Sequence, residues 1–344
     1  MFWQTSLATT DVERWVGIFL GVGFITWAGI GGLLKWMLRN QMVVQPNERS
    51  SHSVPTPQGA GAVMVAAVFV NWIILFVHHH DLVTWRDYGV LLAAFAIAVI
   101  SWLDDRAHVS FKWRLVVHFI AAGMAVYALP DTAALFRDWL PLWLERALMA
   151  VGLVWFMNLF NFMDGIDGMN GTLTTTIALG ISIITPAWID WQLSLVLVPI
   201  AIGFLIWNWQ PAKIFMGDVG SVTLGYLIGW LLLRLSLSGN YIPAVILAAY
   251  PIADTTITLL RRVSQGEKFW EPHRRHFFQK AVRSGMSHAG VVLCVWALQI
   301  FLILMALWAT YRRISPAVLT ILAVSAWLGF CQWRFKYFDG KNKA

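Results

Sequence analysis

The stretch Arg146-Ala-Leu-Met-Ala-Val-Gly-Leu-Val-Trp-Phe-Met-Asn158-Leu-Phe-Asn161-Phe-Met-Asp164-Gly165-Ile-Asp167-Gly168 decides how this chain is read. Most of it is apolar over the length of a membrane crossing. Its end sets Asn158, Asn161, Asp164 and Asp167 three apart, with glycines on both sides of the last acid. Residues at that spacing share one face of a helix. Hydrocarbon penalises such groups, so a membrane segment that keeps them generally uses them. Oxygen ligands opening into a glycine-rich turn point to a site for Mg²⁺ and phosphate. The plainer reading is a helix end capped by its own side chains. The alternating ligands and closing Glu of an EF-hand are missing.

The rest of the chain has the same character. Of 344 residues, 58% are hydrophobic and only 12% charged, and the mean hydropathy is +0.64. This excludes an ordinary soluble domain and predicts one polytopic, all-α membrane domain spanning 1–344. The 21 Trp suit interfacial belts, and many will also serve packing. Cys294 and Cys331 fall in apolar segments and imply neither a disulfide framework nor a thiolate metal site. The net charge of +7 is better explained by basic cytoplasmic loops than by nucleic acid. Asp11 and Glu13 precede the first apolar segment, and its run from Trp15 to Leu34 is too long for the core of a cleaved signal.

Eleven segments approach the length needed to cross the hydrocarbon: 15–37, 60–78, 88–103, 114–130, 146–163, 170–187, 193–209, 219–237, 241–260, 289–310 and 316–333. With the N-terminus outside and the C-terminus inside, 18 Lys and Arg fall inside and 7 outside. That bias selects this orientation. Loops 38–59, 104–113, 164–169, 210–218 and 261–288 then share the cytoplasmic face, the last forming a substrate-binding loop.

Four further constellations meet that face. Asp104-Asp105 ends the third segment; adjacent carboxylates repel unless a cation or a substrate proton compensates. Lys112 and Arg114 follow, able to meet phosphate or to anchor a positive-inside loop. Gly217-Asp218-Val-Gly-Ser221 opens a helix with a carboxylate and free N–H groups, which suits Mg²⁺ with phosphate or a simple N-cap. The basic loop carries His273-Arg274-Arg275-His276, suited to clamp a pyrophosphate or to lie on anionic lipid. Asn47 to Gly59 reads as a structured loop. Asp254, inside the ninth segment, is a functional candidate or a buried structural hydrogen-bonding group. His78-His79-His80-Asp81 falls outside, away from every other polar motif, and consecutive residues cannot all face one ion.

At these residues the chain resembles the polyprenyl-phosphate N-acetylhexosamine-1-phosphate transferase family. The likeness covers Asn47 to Gly61, Asp104-Asp105, Asn158 to Gly168, Phe215 to Ser221 and His273 to Gln279. Arg49-Ser-Ser-His52 and the separated His273 and His276 look like the O-antigen-initiating branch. The branch of the phospho-muramyl-pentapeptide transferase of peptidoglycan has a consecutive His triplet in the last cytoplasmic loop. Gln58 and Ala60 depart from the Arg and Gly frequent in relatives.

The resemblance implies transfer of an N-acetylamino sugar-1-phosphate from a UDP-sugar to undecaprenyl phosphate, releasing UMP, in the bacterial inner membrane with the site facing the cytoplasm. It implies Asp104 and Asp105 at the nucleophile, and Asn161 and Asp218 on Mg²⁺, with Mn²⁺ as a substitute. Asp167 would hold the uridine and Arg114 the pyrophosphate. His273, Arg274, Arg275 and His276 would contact pyrophosphate and sugar. Lys112, Asn158, Asp164 and Asp254 complete the expected substrate-binding set, and a homodimer is among the expected partners, besides the bilayer. The peptidoglycan branch and, from another class, a transporter or flippase are the competing readings. Transporters place their sites near the midplane between repeated halves; here the acids gather at one face.

Overall fold

In the computed structural model, the described residues are 9–42, 55–107, 109–131, 133–136, 139–268, 273–311 and 315–341. They form thirteen α-helices: α1 (Thr9–Arg39), α2 (Ala60–His78), α3 (Trp85–Ala107), α4 (Phe111–Tyr127), α5 (Leu142–Phe162), α6 (Met169–Ile184), α7 (Trp188–Asn208), α8 (Asp218–Leu235), α9 (Tyr241–Leu247), α10 (Ala249–Ser264), α11 (Phe277–Arg283), α12 (His288–Ala309) and α13 (Ser315–Lys341). With its backbone bonds closed within each helix, such a chain satisfies itself in lipid, and the protein is an all-α polytopic membrane bundle.

Eight of the described helical stretches are long and apolar enough to cross a bilayer, with α8 and α9 counted as one stretch. The other three expected segments are shorter, at Phe111–Tyr127, Met169–Ile184 and Ala249–Ser264. The expected single segment 241–260 is two helices. Pro251 has no N–H to donate to Leu247, and the chain breaks at Ala248 with φ −97° and ψ 1°. The helix that resumes is amphipathic and ends in Arg261 and Arg262.

The centre of the bundle is α8, which packs against α2, α3, α5 and α6. Its sequence is apolar on every side, and Val222, Leu224, Tyr226, Leu227, Ile228, Trp230 and Leu231 are all buried. Small residues let its neighbours in, as is usual where lipid gives helices no hydrophobic drive to associate. A Cβ at Gly225 would lie 3.0 Å from Met157 Cα of α5. At the start of α8 the approach is tighter: a Cβ on Gly61 of α2 would meet Gly220 N at 2.4 Å. Backbone bonds fix this crossing, from Gly61 N–H to Met216 O at 2.9 Å and from Phe215 N–H to Pro57 O at 2.8 Å. At the other end of α8, Arg234 donates to Asp190 of α7 at 2.6 Å and to Asp87 of α3 at 3.3 Å. These charges are buried but paired, which is the condition for keeping them.

Gly61→Ala should therefore destabilise the protein by about 1–3 kcal/mol through overpacking, read as a lower thermal midpoint in detergent. Gly123→Ala, where a Cβ meets nothing within 4 Å, should leave the midpoint unchanged or raise it.

Candidate active site at the helix ends

Four helix ends converge. Asp104 and Asp105 lie in the last turn of α3, Arg114 in the first turn of α4, Asn158 and Asn161 near the end of α5, and Asp218 at the start of α8. Gly217 has φ 79° and ψ 169°, a conformation that favours glycine, and it turns the chain so that Asp218 opens its helix toward the others.

Arg114 is the hub. Its guanidinium bonds Asp104 and lies 3.8 Å from Asp218 Oδ2. Asn161 Oδ1 accepts the Ser221 hydroxyl at 2.6 Å, joining α5 to the first turn of α8. The Asn161 side chain also reaches Asp218. Asp164 accepts the Gly217 N–H, and burial first, then the charge of Asp218, pushes its carboxyl up to about 7. Asp105 feels both Asp218 and Asp104. Three carboxylates thus share one guanidinium, with Asp164 beside Asp218, an arrangement that calls for further positive charge.

The donor set fits a hard divalent cation. Asp218, Asp164 and Asn161 all offer oxygen. Among the described residues no three His, Cys, Asp or Glu side chains form a closed metal cage. Mg²⁺ in phosphoryl-transfer sites takes one or two carboxylates and completes its shell with water and phosphate. Lys112 is exposed beside this cluster. Asn158 donates to Val154 O at 2.7 Å and sits 3.4 Å from His118 Nδ1.

Two of the expected substrate contacts, Asp167 and Asp254, are engaged by protein groups. Asp167 is 5% exposed and turned into the fold: its Oδ2 accepts the Ala212 N–H at 3.1 Å, and His288 Nδ1 lies 3.4 Å from Oδ1. Together with Asn208, which accepts the Gly168 N–H at 2.8 Å, it shapes the glycine turn that presents Asp164. Asp254 is fully buried. Its Oδ1 meets His276 Nδ1 at 3.2 Å and accepts Phe277 N–H at 3.1 Å, while Oδ2 accepts Phe278 N–H at 3.3 Å. It caps α11, the task that an N-terminal helix end sets.

The basic loop divides likewise. His276 is 2% exposed and stacks between Phe162 and Phe278, at 6.0 and 5.6 Å. It caps α11 with Gln279, so it positions the loop and has no free face for sugar. Arg275 bonds Glu267 and donates to Gln265 at 3.0 Å, turned along the loop and away from the acids. Arg274 is half-buried between them. His273 stacks on His276 at 4.8 Å and accepts the Arg275 N–H at Nδ1. Burial, then the nearby cations, lowers its pKa to about 3. The ring is therefore neutral with its proton on Nε2, a buried atom with no partner among the described residues and a donor ready for an anion. Asn47, Arg49 and His52 lie outside the described residues; Gln58, from the same stretch, packs over Gly217.

Asn208 and His288 are positioning residues that motif spacing did not single out; Ser221 and Gln279 ended motifs quoted above but were given no role of their own. Gln279 had a signal, three residues after a cap position. Asn208 and His288 are lone polar residues at helix ends, joined only by the fold.

Fold and site together define a membrane protein with an acidic cleft, threaded by one arginine, at one end of its bundle. Residues 88–236, which include every acid of the cleft, match the model of glycosyl transferase family 4. A probable undecaprenyl-phosphate N-acetylglucosaminyl 1-phosphate transferase of Bacillus subtilis is 29% identical over 74% of this chain and 73% of its own. The undecaprenyl-phosphate alpha-N-acetylglucosaminyl 1-phosphate transferase of Escherichia coli K12 is 25% identical over 88% of this chain and 87% of its own. A decaprenyl-phosphate N-acetylglucosaminephosphotransferase of Mycobacterium leprae is 25% identical over 80% and 79%. These likenesses support the resemblance to the polyprenyl-phosphate N-acetylhexosamine-1-phosphate transferase family.

Asp254→Ala should free the cap of α11. Amide exchange over Phe277–Arg283 should then rise about tenfold, the worth of one lost cap; unchanged exchange would remove this role.

Proposed function

We propose that this protein transfers an N-acetylamino sugar-1-phosphate from a UDP-sugar to undecaprenyl phosphate, at the cytoplasmic face of a bacterial inner membrane. The products are undecaprenyl-diphospho-sugar and UMP. The observation that carries this reading is the gathering of Asp104, Asp105 and Asp218 about Arg114, with Asp164 beside Asp218, where helices end. Such a site binds two phosphate-bearing substrates only with added positive charge, and the relatives' named activities supply the reaction class.

Asp218, Asn161 and Asp164 would hold Mg²⁺, or Mn²⁺ in its place, which supplies charge neutralisation on the diphosphate and the departing UMP. Arg114, carried by Asp104, faces the remaining phosphate charge. Lys112 lies at the approach, and His273 donates from Nε2 without bringing a charge. A lipid-phosphate oxygen forms the new bond to the β-phosphorus, and the bond from that phosphorus to the oxygen shared with the α-phosphorus breaks. The lipid phosphate has a second pKa of about 6 and is largely dianionic at neutral pH. Asp104 and Asp105 therefore position the nucleophile and take up a residual proton, and no aspartyl phosphate forms. Beside this cleft, Trp155, Thr256, Leu259, Leu260 and Val263 line an apolar cavity of about 230 Å³ between α5 and α10, suited to a polyprenyl chain.

Purified protein incubated with undecaprenyl phosphate, Mg²⁺ and a panel of UDP-sugars should release UMP with one or a few of them. Release that is absent with every sugar, or independent of the lipid, would overturn the reading. Asp218→Asn should lower turnover roughly a hundredfold or more and raise the Mg²⁺ concentration needed; an unchanged Mg²⁺ dependence would remove Asp218 from the ligand set. UDP-sugar alone should leave no phosphorylated Asp104 or Asp105 to trap. Because His273 is neutral above a pKa of about 3, it adds no limb to the pH profile. His273→Gln should lower the plateau without reshaping the profile between about pH 5 and 8.

A further inference from the structure

A second groove opens on another face of α10, away from the cavity beside Trp155. Arg261 of α10, Phe277 of α11 and Ser325, Gln332, Trp333 and Lys336 of α13 line a volume of about 480 Å³. It lies at the active-site end of the bundle, since α10 leads directly into the histidine loop. The outer wall faces lipid: Trp333 is 59% exposed, and a Cβ at Gly329 would meet nothing within 4 Å.

Its charge is one-sided. The Arg261 guanidinium lies 5.0 Å from the Phe277 ring centroid and the Lys280 ammonium 4.8 Å from it. Lys280 donates to Gln332 at 2.7 Å, which holds α11 against α13. Among the described residues, neither Arg261 nor Lys336 pairs with a carboxylate. Burial, then the charge of Arg261, lowers the pKa of Lys280, so these cations repel one another. An anion seated between them would relieve that repulsion. The apolar floor and the exposed indole are the surroundings of a lipid at headgroup depth, and basic pockets between membrane helices bind acidic headgroups. A free phosphate would use the cations and leave the apolar wall bare.

We propose that this groove binds an anionic glycerophospholipid of the surrounding bilayer, its phosphate between Arg261 and Lys336 and an acyl chain along Gly329. The site is separate from the substrate cleft, and it braces α10, α11 and α13 behind the histidine loop.

The test is native mass spectrometry of the full chain in detergent, with phosphatidylglycerol or phosphatidylcholine of the same acyl chains. Phosphatidylglycerol should be retained preferentially, and excess undecaprenyl phosphate should not displace it. Arg261→Ala with Lys336→Ala should lower its retention about fivefold per cation. Gly329→Leu should lower retention by filling the groove without a clash, and it decides the matter alone if the double variant does not fold. Equal retention of the two lipids, or retention unaffected by these variants, would overturn the proposal. Displacement by undecaprenyl phosphate would overturn it too, by making the groove part of the substrate path.

Discussion

Four carboxylates held near one another at the edge of a low-dielectric bundle repel strongly, and Arg114 is the group that makes their assembly tolerable. Bonded to Asp104 and close to Asp218, it ties the end of α3 to the start of α8. The remaining architecture keeps that meeting point in place. Ser221 fastens Asn161 to the same turn, and the Gly61–Gly220 crossing lets α2 and its preceding segment press against the start of α8. One guanidinium cannot neutralise the whole cluster. The deficit is one of positive charge, which the divalent cation of the proposed function would supply.

The histidine loop serves this cleft indirectly. A basic loop near bound phosphate would ordinarily be read as a set of cationic fingers. Here Arg262 and Arg275 are spent on Glu267, His276 on Asp254, and the stacked His273 is held neutral. What this loop keeps unspent is a hydrogen-bond donor, His273 Nε2, on an aromatic stack with His276 and Phe162. Such a donor loses little entropy on meeting a ligand, an advantage that a long flexible side chain lacks.

Much of this was legible in the sequence. Apolar runs of crossing length located the long helices, because a bilayer imposes its thickness on every segment, while their ends, as at α1 and α13, run on beyond the apolar stretch. The polar motifs of Asp104, Asp164 and Asp218 stood out for the same reason, as costly exceptions. The break at Ala248 was hidden because 241–260 is continuously apolar, and Pro251 acts there only through one missing N–H. The tasks of Asp167 and Asp254 were hidden too. Whether a buried carboxylate faces a ligand or backbone donors and a histidine depends on which loop packs over it, and no local pattern records that. Asn208 and His288 became functional only when α7, α12 and the glycine turn met.

The central helix carries one more consequence. It is clamped at one end by backbone bonds to α2 and at the other by Arg234 between Asp87 and Asp190. Asp218 therefore sits at a depth set by protein contacts along the length of α8. A membrane that thickens or thins must be met by tilting of the peripheral helices α1 and α13, whose surfaces face the lipid. The reacting groups keep their spacing, and the bilayer adjusts to them.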